Sequence, residues 1–185
     1  MSAARDVPIG LNCHAVSACD AVRSVHATVH TSAGLLTLSY VLDADLKHLR
    51  IPAASAPART NELWRHTCFE AFLREEGARG YRELNFAPSL SWAMYRFSAP
   101  REGMLAVPAT LAPRITIARG AAGLTLEAIV LLRDLFPASV PLMLRVGLAA
   151  VVEDENGSLS YWATRHAPGK PNFHHPDNFT LEIAV

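Results

Sequence analysis

The sequence predicts an all-β protein, an antiparallel β-sandwich of jelly-roll-like character with about eleven strands. Three observations carry that expectation. Short apolar or alternating runs recur at intervals of roughly 8 to 15 residues. Turn residues separate them, among them Ser32-Ala33-Gly34 and Asn156-Gly157, the second being a strong two-residue hairpin signal. No stretch carries the 3.6-residue periodicity that a helix of about ten residues would show.

Residues 1–20 read as a lead-in, and residues 21–185 as one sandwich domain. Val22 to His30 alternates, with Arg23, Val25, Ala27 and Val29 on one side and Val22, Ser24, His26, Thr28 and His30 on the other. His26 and His30 would stand about 13 Å apart on a strand, too far to share a metal ion. Leu35 to Leu42 completes a first hairpin, and Leu46 to Ile51 is a short third strand. Pro52 to Asn61 is a small-residue, proline-containing loop.

Thr67 to Glu75 and Gly80 to Ala87 follow, separated by Glu76-Gly77-Ala78-Arg79, the pattern of an antiparallel hairpin. Pairing Glu75 with Gly80 sets Leu73 opposite Arg82, Ala71 opposite Leu84 and Phe69 opposite Phe86. The other face then holds Glu70 opposite Asn85, Phe72 opposite Glu83 and Arg74 opposite Tyr81. Side chains alternate with period two, so one register assigns both faces at once. The first face is apolar and belongs in a core. The second carries two carboxylates, an amide and rings, the composition of a ligand-binding surface.

Ser91 to Phe97 is an aromatic-rich strand whose register stays open. One choice puts Ala93 and Tyr95 on the polar face, the other Trp92, Met94 and Arg96. Pro100 to Pro113 is irregular, Arg114 to Arg119 and Leu124 to Leu132 are strands, and Asp134 to Pro137 is a short turn or a single helical turn. Leu142 to Val152 is nearly all apolar and should be a central strand. Ser160 to Thr164 returns after Asn156-Gly157, a proline- and histidine-rich loop follows, and Phe179 to Val185 closes the chain.

The 185 residues are half hydrophobic and 18% charged, with a formal net charge of zero. That balance, without a basic run, excludes non-specific nucleic-acid binding and attraction to anionic membranes as leading functions. No apolar stretch reaches the ~20 residues of a membrane span. Cys13, Cys19 and Cys68 make neither a disulfide framework nor a zinc pattern. With no secretory signal in the first residues, a reduced cytoplasmic setting is expected.

LWRHTCFEAFL (63–73), YRELNFAPSLSWAMYRF (81–97), YWATRH (161–166) and KPNFHHPDNF (170–179) together resemble the DOMON-like domains, in particular those similar to family 9 carbohydrate-binding modules. The resemblance implies a β-sandwich over residues 21–185 with sugar or, in some members, haem as ligand. It also implies an aromatic clamp, for which Trp64 and Trp162 are the candidates.

Two residue groups are the candidate site. Arg65, Glu70, Tyr81, Glu83 and Asn85, with Tyr95, offer the paired donors and acceptors that sugar hydroxyls need, beside aromatic faces that cover C–H patches. Arg165, His166, Lys170, Asn172, His174, His175 and Asp177 lie in a loop stiffened by Pro168, Pro171 and Pro176 that could close over a ligand. The loop is expected to pack across the hairpin's polar face and bring a polar group to Glu70 or Glu83.

The expected function is a non-catalytic module binding a carbohydrate or sugar-containing metabolite, without cofactor. Glycoside chemistry through Glu70 and Glu83 is one alternative. A b-type haem protein, with Met94 and His166 as a possible axial pair, is another. His174, His175 and Asp177 are a conceivable metal set, and Cys68 with His66 a conceivable nucleophile and base; surface and core roles compete with both.

Overall fold

The hairpin from Cys68 to Phe86 is the centre of one wall of the molecule. Cys68–Glu75 pairs antiparallel with Tyr81–Phe86 in the expected register: Phe69 opposite Phe86, Glu70 opposite Asn85, Ala71 opposite Leu84, Phe72 opposite Glu83. In the computed structural model, which describes residues 7–137 and 143–185, the described residues form twelve strands in chain order. They are β1 (Ile9–Cys13), β2 (Val22–Ser32), β3 (Leu35–Ala44), β4 (Cys68–Glu75), β5 (Tyr81–Phe86), β6 (Trp92–Phe97), β7 (Leu105–Ala106), β8 (Arg114–Gly120), β9 (Gly123–Leu131), β10 (Met143–Glu153), β11 (Leu159–Ala163) and β12 (Leu181–Ala184). One four-residue helix, Leu132–Leu135, follows β9. Leu142, expected to begin the central strand, lies outside the described residues, as do the first six residues of the expected lead-in.

Among the described residues these strands all pair antiparallel, in the order β7-β6-β5-β4-β10-β11-β1-β2-β3-β9-β8, with β12 also on β10. The sheet folds back on itself at β1, where Ile9 to Leu11 pair with β2 while Asn12 and Cys13 pair with β11. The expected lead-in therefore holds a strand. IGLNC gave little sign of it, because Gly10 and Asn12 are poor strand formers and only Leu11 is fully buried.

Three further expectations change. Residues 46–48 are a turn of 3₁₀ helix capped by the Asp45 carboxylate on the Lys47 N–H, not a strand. A bulge between Val22 and Ser24 lets Val22 join Val25, Ala27 and Val29 in the core, although strict alternation sets it with the polar residues. Phe179 lies before the last strand and packs elsewhere.

Between the walls lies the main core. Phe69, Ala71, Leu73, Leu84, Phe86 and Met94 from the β4–β6 wall meet Val25, Leu36, Leu38, Tyr40, Leu42 and Leu126 from the other. The open register of β6 resolves with Glu83 opposite Tyr95 and Asn85 opposite Ala93. Met94 therefore points into this core.

The outer face of the β10-β4-β5-β6 wall is also covered. β11 and β12 pair with the same edge of β10, one beyond the other: Ala163 lies opposite Ala149, and Leu181 opposite Val146. The chain between them, residues 164–180, loops out and returns to the edge it left. Phe173 and Phe179 of this loop pack with Phe72, Tyr81, Tyr95 and Phe97 in a second apolar cluster. Asn178, 1% exposed, pins the loop: its amide donates to Phe173 O (3.0 Å), and Thr164 Oγ1 donates to both its oxygens. Gly147 makes room for it, since a Cβ there would stand 2.6 Å from Asn178 Nδ2 and 2.8 Å from its carbonyl oxygen.

Candidate functional site

Between this loop and the sheet lies a pocket of about 400 Å³, lined among others by Trp64, Glu70, Glu83, Arg101, Tyr161 and His174. Each side chain arrives for a local reason. Glu70 and Glu83 are diagonal neighbours on β4 and β5, each facing outward because the residues beside it in sequence (Phe69 and Ala71, Leu84) fill the core. Trp64 sits in a 3₁₀ turn over residues 63–65 and meets the Tyr95 ring edge-on at 5.8 Å. Tyr161 lies opposite Val151 on the outward face of β11. Arg101 adopts the left-handed conformation, φ 61°, uncommon for a residue with a side chain. There its N–H donates to the Tyr81 hydroxyl (3.2 Å) and its guanidinium to Asn172 (2.9 Å).

The polar groups form a short chain. The Tyr81 hydroxyl accepts from Arg101 N–H and shares a second hydrogen bond with His174 Nδ1, 2.7 Å away. The other ring nitrogen of His174, Nε2, is directed at Glu83 Oε2. The separation is 3.8 Å, beyond a hydrogen bond. Burial first, and Arg101 second, hold the His174 pKa down to about 4. The imidazole is thus neutral near pH 7, and the contact with Glu83 is a gap rather than an ion pair. Burial pushes the Tyr81 phenol up to about 12, against the opposing pull of Arg101.

The two carboxyls differ in their partners. Asn85, fully buried, donates to Glu83 Oε1 at 2.8 Å and accepts from Cys68 Sγ. Desolvation raises Glu83 to about 7 against the opposing pull of Asn85 and Arg101. Glu70 is 3% exposed, and its Oε1 has no hydrogen-bond partner. Burial, then repulsion from Glu83, raise its pKa well above the ordinary carboxyl value. A buried, unanswered carboxyl oxygen costs the fold free energy and is free to bind a donor.

The structure brings Glu70, Tyr81, Glu83, Asn85, Tyr95 and His174 to one place, with the loop over them. Trp64 lines the pocket and Asn172 reaches its edge through Arg101, but Trp162, Arg65, His166, Arg165 and Lys170 stand away from it. Trp162 lies opposite Ala150 and so faces the main core, its indole N–H on Ser160. Arg65 is exposed, pairs with Glu62 at 3.0 Å and borders a different, more open cleft. His166 faces β1, its Nε2 2.8 Å from Asn12 O, and so anchors the loop's start. Arg165 and Lys170 are exposed.

The other conceivable constellations are not assembled. Met94 is in the main core, on the opposite face of the sheet from the loop that carries His166. His66 engages Glu153 at 2.7 Å, and Cys68 is buried against Asn85 with its thiol pKa raised by burial. Among the described residues no group of three His, Cys, Asp or Glu side chains could hold a metal ion.

Sequence reasoning passed over Phe97, Arg101, Tyr161 and Phe173. Period two from Tyr95 reaches Phe97 once the register of β6 is fixed. Arg101 had no sequence signal.

No family model matches the chain, and none of the curated proteins does. Solved structures do resemble it. A proposed carbohydrate-binding protein from Bacteroides uniformis aligns with a TM-score of 0.68 at 14% identity, over 92% of this chain and 82% of its own. A family 9 carbohydrate-binding module from Caldicellulosiruptor kristjanssonii, in complex with glucose, aligns with a TM-score of 0.54 at 12% identity, over 95% of this chain and 83% of its own. A structure of such a module from the same organism with cellotriose gives a TM-score of 0.50, also at 12% identity, over 87% and 75%. The shared property is the β-sandwich fold.

Proposed function

We propose that the protein is a non-catalytic carbohydrate-binding module whose ligand occupies the pocket between the β4–β6 face and the loop of residues 164–180. One observation carries the reading: Glu70, a buried carboxyl whose Oε1 has no hydrogen-bond partner, lines a pocket walled by aromatic rings. A sugar ring answers both features. Its hydroxyls donate to the Glu70 carboxyl and bridge the gap between Glu83 Oε2 and His174 Nε2, while Trp64 and Tyr161 cover its C–H faces. The family 9 fold of two solved neighbours, whose structures hold glucose and cellotriose, supports a sugar ligand, as do the DOMON-like motifs of the sequence.

Titration calorimetry with mono- and disaccharides, guided by a glycan array, tests this. Trp64→Ala should weaken the leading sugar at least about tenfold, and Glu70→Gln should change its affinity while the fold is retained. A chain that binds no sugar, or binds one equally well in both variants, refutes the site.

The raised carboxyl pair favours a second reading, glycoside chemistry, because a protonated carboxyl beside an ionisable one is the equipment of an acid and a base. Turnover of the bound sugar's glycosides that disappears in Glu83→Gln would decide for it.

A further inference from the structure

We propose that the sugar taken by this pocket carries a free amine, and that its ammonium sits between the Glu70 and Glu83 carboxyls. The proposal rests on the carbohydrate reading and narrows it.

The argument is a count of donors, acceptors and charges. The titratable and charged groups on this face are Cys68, Glu70 and Arg74 from β4, Tyr81 and Glu83 from β5, Tyr95 from β6, Arg59 from the loop before β4, Arg101 from the segment after β6, Tyr161 from β11 and His174 from the loop. The Tyr81 and Tyr95 phenols and the Cys68 thiol are neutral near pH 7, and so is His174. Arg59 and Arg74 lie outside the pocket, against the Tyr95 and Phe179 rings. The pocket lining thus holds two carboxyls and one guanidinium. Arg101 donates through Nη2 to Asn172, at the loop's edge of the pocket. One negative charge is left without a counterpart if both carboxyls ionise.

Hydrogen bonds give the same answer. Glu83 Oε1 is taken by Asn85, and Tyr95 Oη is committed to Asn61. Three carboxyl oxygens remain open: both of Glu70, whose Oε1 is buried without a partner, and Glu83 Oε2, beyond bonding distance of His174 Nε2 at 3.8 Å. A sugar hydroxyl supplies one proton to this acceptor-rich end. An ammonium supplies three, together with the missing positive charge, and charge-assisted bonds of this kind are about twice as strong as neutral ones. The empty site answers the same deficit by retaining a proton on the carboxyl pair. The ammonium replaces that proton, so at mildly acid pH binding releases it to the buffer.

The test is titration calorimetry of the full chain with glucosamine, galactosamine and mannosamine, each against its parent hexose and its N-acetyl form, in two buffers of different ionisation enthalpy. At least one amino sugar should bind about tenfold or more tighter than its parent hexose, with proton release at mildly acid pH. Acetylation should abolish the advantage, as should Glu70→Gln in protein whose circular dichroism matches wild type. If a hexose binds and no amino sugar binds more tightly, the amine proposal falls and the carbohydrate reading stands. If no sugar of any kind binds, both fall. A preference for an amino sugar that persists undiminished in Glu70→Gln and in Glu83→Gln also overturns the proposal, since the ammonium would then be held elsewhere.

Discussion

Replacing Glu83 with Gln removes a titration while keeping a hydrogen bond, because the amide oxygen can still accept from Asn85. Desolvation raises the Glu83 carboxyl from an ordinary 4.5 to about 7. The unfolded chain therefore ionises first. Above pH 4.5 it holds fewer protons at this position than the folded protein does, and stability falls as pH rises until the folded carboxyl ionises near 7. At 1.36 kcal/mol per unit, the cost to the folded state at neutral pH is about 3 kcal/mol. His174 works in the opposite direction. Its pKa is depressed from 6.5 to about 4, so the folded state refuses a proton that the unfolded chain accepts, and stability rises as pH climbs through that interval. In wild type the two slopes largely offset each other. Glu83→Gln should therefore be neutral at pH 4.5 and stabilising by about 3 kcal/mol at pH 7, leaving a net rise between them. Guanidinium unfolding of both proteins at the two pH values measures this. An equal gain at both, or none at either, would refute a carboxyl held protonated by burial.

Other consequences bear on packing. Gly147→Ala places a Cβ against the Asn178 amide and carbonyl, both fixed, so overpacking should cost about 1–3 kcal/mol and lower Tm by about 2–4 °C per kcal/mol. Limited proteolysis should then cut within residues 165–177 sooner than in wild type; unchanged cleavage and Tm would show that the loop does not depend on this contact. Phe86→Ala, in the main core and fully buried, should cost about 3–5 kcal/mol by denaturant titration and leave sugar selectivity intact.

The hairpin was legible because its two strands alternate cleanly around a Gly-containing turn, so a single register accounts for every side chain from Phe69 to Phe86. β11 was not. SYWAT is buried on both faces, so alternation separates Tyr161 from Trp162 without saying which of them faces the pocket; only pairing with β10 decides. The position of the loop over the carboxyls could be argued from charge, but the groups holding it there are His174 and Asn178, while Arg165 and Lys170 face water. Arg101 reaches the site through a left-handed backbone that its neighbours in sequence do not announce. Glycine at position 147 is intelligible only beside Asn178, far along the chain.

Because residues 165–180 leave and rejoin one edge of β10, within about 7 Å of one another along the strand, their length is independent of every strand pairing in the molecule. A different segment between Thr164 and Leu181 would meet no strand-pairing constraint, provided that it replaced the apolar cover Phe173 and Phe179 give the sheet. The floor of the pocket belongs to the fold, whereas most of its roof is an interchangeable part. What the pocket binds is thus set largely by a segment whose length no strand pairing fixes, and whose two phenylalanines are the part of it the fold depends on.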